Sequence, residues 1–316
     1  MRILNKTKKG EIYVKKRFKI LLAFILSIAL VVTHIPLISA EEIFGSEVKY
    51  NTQQEEITQQ NEDAYILGEL IEKRSNDTKH FRMSDGSIKA CVYPHDVHYL
   101  KNGNFEDIDN TLIYDEEKQI YKNKANSANI SLPENFSDGY VEYLTENGFV
   151  KFKLVGSTNK KMKKLTSTKV ETIDKTVLNK VNSRVAYNKI KTDIDVQYDI
   201  MGDVLKETII LNKKTKETFV FEILTSAYNA VLNNDNSVSF FDEEGTQIYR
   251  MESPYMADSV GEFTNSIKTE LIKKGDIYYL TYAPDYEWLS DKSRVYPVYL
   301  DPTLFETIVG SAISDT

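Results

Sequence analysis

The fold class is indicated by the segment Asp193-Ile194-Asp195-Val196-Gln197-Tyr198-Asp199-Ile200, together with Met201-Gly202-Asp203 and the run Val204 to Leu211 that follow it. Its apolar side chains alternate strictly with acidic and amide side chains, which is the pattern of a β-strand with one face in the core. Gly202 and its polar neighbours form a turn between the two runs. The sequence therefore predicts an antiparallel hairpin in which Val196 and Tyr198 face the core.

Similar short alternating runs continue on both sides of this hairpin. Tyr140 to Thr145 and Phe149 to Val155 flank Glu146-Asn147-Gly148, and Asn-Gly is the strongest short-range hairpin signal. The other candidate strands are Ser87 to Tyr93, Phe219 to Leu224, Ser237 to Phe241, Thr246 to Met251, Ile267 to Ile272, Ile277 to Tyr282 and Arg294 to Leu300. No stretch keeps a helical apolar stripe over many turns, so we predict an all-β protein built of antiparallel β-sandwich-like units.

The strand pattern predicts two such units in series, an N-terminal β unit over residues 64–160 and a C-terminal β unit over 183–303. Between them, Lys160 to Asn182 is rich in lysine and threonine and is interpreted as a loop, an edge or a marginal helix. Arg294 to Thr303 is predicted to be an edge strand, because Pro297 and Pro302 cannot donate to a ladder. Residues 304–316 are expected to be a loose tail or the start of a missing module, so their deletion should barely change the melting temperature.

The pattern of the first 40 residues indicates a separate targeting segment. Eight Lys and Arg residues and one acid, Glu11, precede an apolar run from Ile20 to Val32, and Ala40 is a suitable residue before a cleavage site. This run has the length of a signal peptide rather than of a membrane span. We predict a signal peptide over residues 1–40, with an uncleaved anchor as the alternative, and a polar linker over 41–63.

The charge of the remaining chain argues against several partner classes. Since the leader takes eight of the 40 basic residues and one of the 47 acidic residues, the rest carries about −14. We expect no nucleic-acid partner and no stable membrane association after signal cleavage, whereas a neutral polysaccharide or a cationic partner fits. Cys91 is the only cysteine, so the exported chain is expected to fold without an internal disulfide.

The histidines offer one local cluster that resembles a metal site. His95, Asp96 and His98 lie close together in the sequence, but on a strand His95 would point away from the other two. His80 stands apart. Because at most two ligands converge, we predict no metal site and no metal cofactor.

The remaining candidates for chemistry also have structural interpretations. Asp193, Asp195 and Asp199 line one strand face and would suit a calcium ledge or a glycosidase carboxylate pair, but a solvated polar face explains them equally. Cys91 is interpreted as a small strand residue, and Trp288 as a core anchor rather than a sugar-stacking platform. With no phosphate loop, nucleophile elbow or zinc helix in the sequence, we predict no catalytic and no cofactor-binding residue.

Several ordered pieces of the chain resemble a known family. They are Ile71-Glu72-Lys73-Arg74, Asn102 to Leu112, Asp193 to Tyr198, Leu205 to Leu211, and above all Trp288-Leu289 with Tyr296-Pro297-Val298-Tyr299-Leu300-Asp301-Pro302-Thr303. These pieces are similar to the N-terminal region of secreted Firmicutes proteins that carry Rhs (YD) repeats or the DNRLRE module, whose best-known relatives are wall-associated Rhs toxins. The resemblance covers residues 65 to 316 and implies a leader segment of a surface protein, with no catalytic residue.

These observations lead to one expected function and two alternatives. We expect a non-catalytic exported β scaffold, secreted or associated with the wall of a Gram-positive cell, that forms the N-terminal segment of a larger Rhs-like protein shortened by truncation. Its expected partners are wall polysaccharide or downstream modules of the same protein. The alternatives are a carbohydrate-binding or adhesive module, which would group exposed aromatic residues on one sheet face, and a glycosidase, which would need two carboxylates in a cleft.

Overall fold

The computed structural model describes residues 64–165, 180–301 and 303–306 of the chain. The expected signal peptide at 1–40, the expected linker at 41–63, residues 166–179, Pro302 and residues 307–316 lie outside the described residues. The described elements are almost entirely strands, as the alternating sequence pattern predicts. The all-β class and its antiparallel, sandwich-like sheets are thus confirmed.

The strands are numbered in chain order. They are β1 (Ile66–Glu69), β2 (Thr78–Met83), β3 (Ile88–Val92), β4 (His98–Lys101), β5 (Asn104–Asp107), β6 (Asp109–Asp115), β7 (Ile120–Ala125), β8 (Asn129–Pro133), β9 (Val141–Thr145), β10 (Gly148–Leu154), β11 (Lys163–Leu165), β12 (Asn182–Lys191), β13 (Ile194–Met201), β14 (Val204–Leu211), β15 (Phe219–Thr225), β16 (Asn229–Leu232), β17 (Val238–Phe241), β18 (Gln247–Met251), β19 (Tyr255–Ala257), β20 (Phe263–Thr264), β21 (Ile267–Lys274), β22 (Ile277–Pro284), β23 (Val298–Asp301) and β24 (Thr303–Glu306). A short helix, α1, spans Tyr286–Ser290. No helix among the described residues has the length and apolarity needed to cross a membrane.

Two large sheets enclose the main core. The eight-stranded sheet has the order β21-β22-β15-β10-β9-β8-β7-β6. The eleven-stranded sheet runs β11-β12-β13-β14-β24-β18-β17-β16, with β23 linking β14 to β19 and β20 pairing with β19. Inward side chains of both sheets belong to one hydrophobic cluster, in which the rings of Phe152 and Tyr198 lie 6.4 Å apart. Burial of large apolar and aromatic side chains of this kind contributes about 1.5–3 kcal/mol each.

The hairpin that decides the fold class forms as predicted. Strands β13 and β14 pair antiparallel from Ile194 opposite Leu211 to Met201 opposite Val204. Val196 and Tyr198 are fully buried, as the period-two pattern indicates. The second predicted hairpin, β9 with β10, is also present, and Thr145 pairs with Gly148 across its turn.

The two expected units do not form separate sandwiches in series. Strand β15, from the second range, pairs with β10, from the first, so that Phe152 lies opposite Ile223. Strands after residue 183 contribute to both large sheets, and the two ranges share one core. Alternation along a strand shows which side chains face inward but carries no information on which distant strand lies beside it.

The C-terminal end of the fold also differs from the expectation. Strand β23 is not an edge, because it pairs with β14 on one side and with β19 on the other. This strand begins at Val298, so Pro297 precedes it. The lack of a backbone N–H at Pro297 therefore does not interrupt the hydrogen bonding of β23. Leu304 to Glu306, expected in the tail, belong to β24, which lies between β14 and β18 in the interior of the sheet.

A smaller N-terminal part holds the three-stranded sheet β1-β2-β3 and the hairpin β4-β5. It has its own hydrophobic cluster of Tyr93, Val97, Ile108 and Val181, with Cys91 and Tyr99 packed against it. The turn of the β13–β14 hairpin packs against this N-terminal part. At Gly202, whose φ is +59°, a Cβ atom would lie 2.4 Å from the backbone oxygen of Asp96, so this contact requires glycine.

Candidate functional site

The carboxylates of the β13 face are occupied by internal partners. Asp195 accepts hydrogen bonds from the backbone N–H of Lys189 and from Nδ2 of Asn212. Asp199 is buried, where it forms an ion pair with Arg184 and accepts a hydrogen bond from Gln197. Paired carboxylates of this kind stabilise the fold and leave little capacity to bind calcium.

Asp193 lies in the turn before β13, at the rim of a shallow depression of about 560 Å³. Glu217 also lines this depression, and a glycosidase would need two such carboxylates to act on one bond. Each is engaged by a different lysine: Lys213 Nζ is 3.1 Å from Asp193, and Lys191 Nζ is 2.8 Å from Glu217. Because each carboxylate already has its own cationic partner, the pair does not form the acid and nucleophile that glycoside hydrolysis requires.

The histidine cluster does not converge on a common point. His95 packs against the β13–β14 turn, and burial together with the nearby Lys206 lowers its pKa. Asp96 accepts a hydrogen bond of 3.0 Å from Asn76, whereas His98 begins β4 and points into a different cluster. Among the described residues, no three His, Cys, Asp or Glu side chains are arranged to hold a metal ion.

The best organised polar site is a cluster of five charged or titratable side chains from β1, β2, β4, β5 and the loop after β1. We call it the N-terminal charge cluster, and its members are Glu69, Arg74, Lys79, His98 and Asp107. Arg74 donates from Nε and Nη2 to the two oxygens of Glu69, at 2.7 and 3.0 Å. The Lys79 side chain, 1% exposed, places Nζ 2.5 Å from Asp107 Oδ1 and 3.7 Å from Glu69 Oε2.

His98 completes this cluster in its neutral form. Its Nδ1–H donates to the carbonyl oxygen of Ser75 at 2.6 Å, because a carbonyl can only accept. Nε2 then carries the lone pair, 3.6 Å from both Glu69 Oε1 and Asp107 Oδ1. Burial lowers the pKa of His98. Two cations, two carboxylates and a neutral imidazole balance one another, so the cluster ties the small sheets together. Within the described part of the chain, Nε2 of His98 has no hydrogen-bond partner, but it is buried.

A second buried group, Glu207 on β14, lies inside the main core. Tyr198 donates to Glu207 Oε1 at 2.5 Å, while Glu207 Oε2 and the hydroxyl of Tyr282 have no hydrogen-bond partner. Burial raises the pKa of Glu207 to about 8. The folded chain therefore holds a proton on this carboxyl that the unfolded chain releases above about pH 4.5.

The pH dependence of stability should report this proton. The stabilising contribution of protonated Glu207 is complete below about pH 4.5 and is lost as the pH rises toward 8. In the Glu207→Gln variant, the free energy of unfolding should fall less between pH 5 and pH 9 than in the unmodified chain, by a few kcal/mol. Urea unfolding at the two pH values measures this, with the exposed Glu244→Gln as the matched control. An unchanged pH dependence in Glu207→Gln would show that Glu207 is ionised in the folded chain.

Trp288 does not offer a free face for a sugar. The guanidinium carbon of Arg294 lies 3.6 Å from the centre of its ring, and Arg294 Nη1 is also 2.9 Å from the buried Asp258. Trp288 packs partly against the main core, next to the buried Leu289. The core-anchor interpretation fits these contacts better than a sugar-stacking platform.

The exposed aromatic side chains are scattered. Tyr65 precedes β1, Tyr228 lies between β15 and β16, and Phe263 belongs to β20. The half-buried Tyr140 and Tyr279 do lie on the outer face of the eight-stranded sheet, but Lys153 and Lys274 cover their rings at 4.5 and 5.4 Å. The described residues therefore lack the grouped, open aromatic platform that a carbohydrate-binding face needs.

Taken together, fold and site define an all-β sandwich whose prominent ionisable side chains are paired internally. No model of a known protein family matches the chain. Among curated proteins, the tRNA3(Ser)-specific nuclease WapA of Bacillus spizizenii is 29% identical over 247 residues, which are 75% of this chain and 10% of that protein. The tRNA nuclease WapA of Bacillus subtilis is 27% identical over 313 residues, which are 92% of this chain and 13% of that protein.

A third relative is much closer in length. The wall-associated protein of Geobacillus stearothermophilus is 23% identical over 199 residues, which are 61% of this chain and 75% of that protein. By contrast, the chain spans about a tenth of the length of the two nucleases. Homologues of the chain thus include a wall-associated protein and long proteins named as tRNA nucleases.

Sequence reasoning did not find the two most organised polar sites. Glu69, Arg74, Lys79 and Asp107 belong to separate short runs, and nothing in their spacing indicates that the small sheets bring them together. Glu207 sits at an inward position of β14, where alternation from Leu205 and Ile209 already implies burial. A carboxyl at an inward strand position is the signal that could have identified it.

Proposed function

We propose that the chain is a non-catalytic β scaffold of a cell-wall-associated surface protein. The observation that carries this is the match to the wall-associated protein of Geobacillus stearothermophilus, because the aligned residues make up most of that relative. The fold supports it, since both large sheets are devoted to one apolar core and the prominent carboxylates serve internal ion pairs. Wall localisation follows from the same relative.

The nuclease names raise a rival function for this chain. They describe proteins of which the chain corresponds to about a tenth, so the activity in the name does not fix the activity of this segment. General acid–base cleavage of RNA needs accessible titratable side chains near a phosphate-binding surface. His98 is fully buried in a balanced charge cluster, and the net charge of about −14 beyond the leader disfavours a polyanionic substrate. A scaffold is therefore the better supported proposal.

The partners we propose are wall polysaccharide or downstream modules of a larger Rhs-like protein. The aromatic arrangement gives little support to a dedicated sugar-stacking site, so contact with the wall would rest on dispersed polar groups of the sheet faces and loops. The lysines and threonines around the shallow depression, including Thr158 and Lys214, are of this kind. The glycosidase alternative is not favoured by any arrangement of the described carboxylates.

The proposal predicts wall binding without RNA cleavage. The purified chain should cosediment with purified Gram-positive cell walls and should leave total tRNA intact on a denaturing gel. A variant with an ionised side chain in the core, Val196→Asp, prepared in the same way, controls for contaminating nucleases and for trapping of unfolded protein. Cleavage of tRNA by the unmodified chain but not by this variant would contradict the scaffold proposal.

A further inference from the structure

Strand β3 is an edge of the three-stranded sheet, and its hydrogen-bonding groups alternate between β2 and the open side. Met83 N donates to Ser87 O at 2.9 Å and Tyr93 N donates to Asp77 O at 2.8 Å. In an antiparallel ladder this phase makes Lys89 and Cys91 the residues bonded to β2. The N–H and C=O groups of Ile88, Ala90 and Val92 then point to the open side, where no strand of the described chain pairs with them.

The same three residues also carry an apolar outer face. Ile88 is 54% exposed and Val92 is 71% exposed, and Ala90 between them is exposed as well. Leu67, at the bulge of β1 next to Gly68, which pairs with Arg82, adds a 57% exposed side chain to the same small sheet. Natural edge strands are usually protected by charged side chains or proline, so an edge with an apolar outer face marks an interaction surface.

We propose that this edge pairs with the same edge of a second copy of the chain, antiparallel about a two-fold axis at Ala90. This register places Ile88 opposite Val92 of the second copy and Ala90 opposite itself, so the free groups of both edges bond one another. The small side chain of Ala90 lies at the two-fold axis, where a large side chain would meet the same large side chain of the second copy. The positions that pair are symmetric about Ala90, which makes the edge complementary to itself.

Charge supports a second copy in this antiparallel arrangement. Lys89 is the one charged residue of β3, and the register places it opposite Cys91 of the second copy. A parallel pairing in register would instead set Lys89 beside its own copy, and like charges on neighbouring strands are destabilising. The contact is short, so the dimer is weak in solution and gains from the high local concentration of molecules on a surface. Dimerisation in solution does not require wall binding.

Sedimentation equilibrium of the purified chain over a range of concentrations tests the proposal. The unmodified chain should show a reversible monomer–dimer equilibrium. Val92→Lys should weaken dimerisation at least tenfold, because it sets the introduced lysine against the apolar Ile88 of the second copy. Folding is not at risk, since position 92 is largely exposed, and a thermal melt checks this.

The double variant Ile88→Glu, Val92→Lys tests whether residue 88 lies opposite residue 92 of the second copy. In the proposed pairing each introduced glutamate faces an introduced lysine of the second copy, so dimerisation should recover toward that of the unmodified chain. Val231→Lys, a 38% exposed position on the edge strand β16, is the matched control and should dimerise normally. A chain that stays monomeric at every concentration overturns the proposal, and so does a double variant that dimerises no better than Val92→Lys.

Discussion

Deleting residues 303–316 is expected to lower the melting temperature by at least about ten degrees or to prevent folding. The deletion removes β24, which pairs with Leu205 and Lys206 of β14 on one side and with Tyr249 to Met251 of β18 on the other. Leu205, Tyr249 and Met251 are buried, so a gap at this position admits water to the core. It also divides the eleven-stranded sheet and leaves two unpaired edges.

Deleting residues 307–316 is the matched control, because it retains every described strand. Thermal melts of the two shortened chains and of the full chain give the comparison. A chain ending at Pro302 that melts with the full chain would mean that β24 does not hold the sheet together. This outcome would restore the expectation from sequence that the segment after Thr303 is a loose tail.

Val196→Asp is expected to cost several kcal/mol and to leave the chain largely unfolded at room temperature. Val196 is fully buried between the two large sheets, opposite Tyr187 on β12 and Ile209 on β14. An aspartate there would either bury a charge without a partner or force the strand out of the core. Far-UV circular dichroism and urea unfolding of the purified variant measure the loss.

Val231→Asp supplies the same substitution at a 38% exposed position on the edge strand β16. It should change the free energy of unfolding by at most about half a kcal/mol, as surface substitutions usually do. Similar urea midpoints for the two variants would show that β13 does not face the core as described.

The sequence predicted the local features of this fold well. Period-two alternation identified β13 and the inward position of Val196, and Asn147-Gly148 located the β9–β10 turn. These features depend on residues within a few positions of one another, where side-chain direction is fixed by the strand itself. The Cys91 interpretation is of the same kind, since Cys91 lies on the inner face of β3, opposite Lys79.

Long-range pairing was beyond the reach of this reasoning. Strand β10 pairs with β15, and β24 pairs with both β14 and β18. These pairings join residues that are far apart in the chain. Register across such distances depends on the packing of whole sheets, which no local pattern encodes. The N-terminal charge cluster was missed for the same reason, because Arg74 meets Asp107 only once two small sheets have folded together.

Cell fractionation tests whether the chain is a wall-associated surface scaffold. The full chain would be expressed in a Gram-positive host, and the wall would be digested in an osmotically stabilised medium that keeps the protoplasts intact. We predict that an antibody detects the chain in the wall digest and the medium, with little in the protoplasts. Recovery of the chain mainly inside the protoplasts or in their membranes would contradict it.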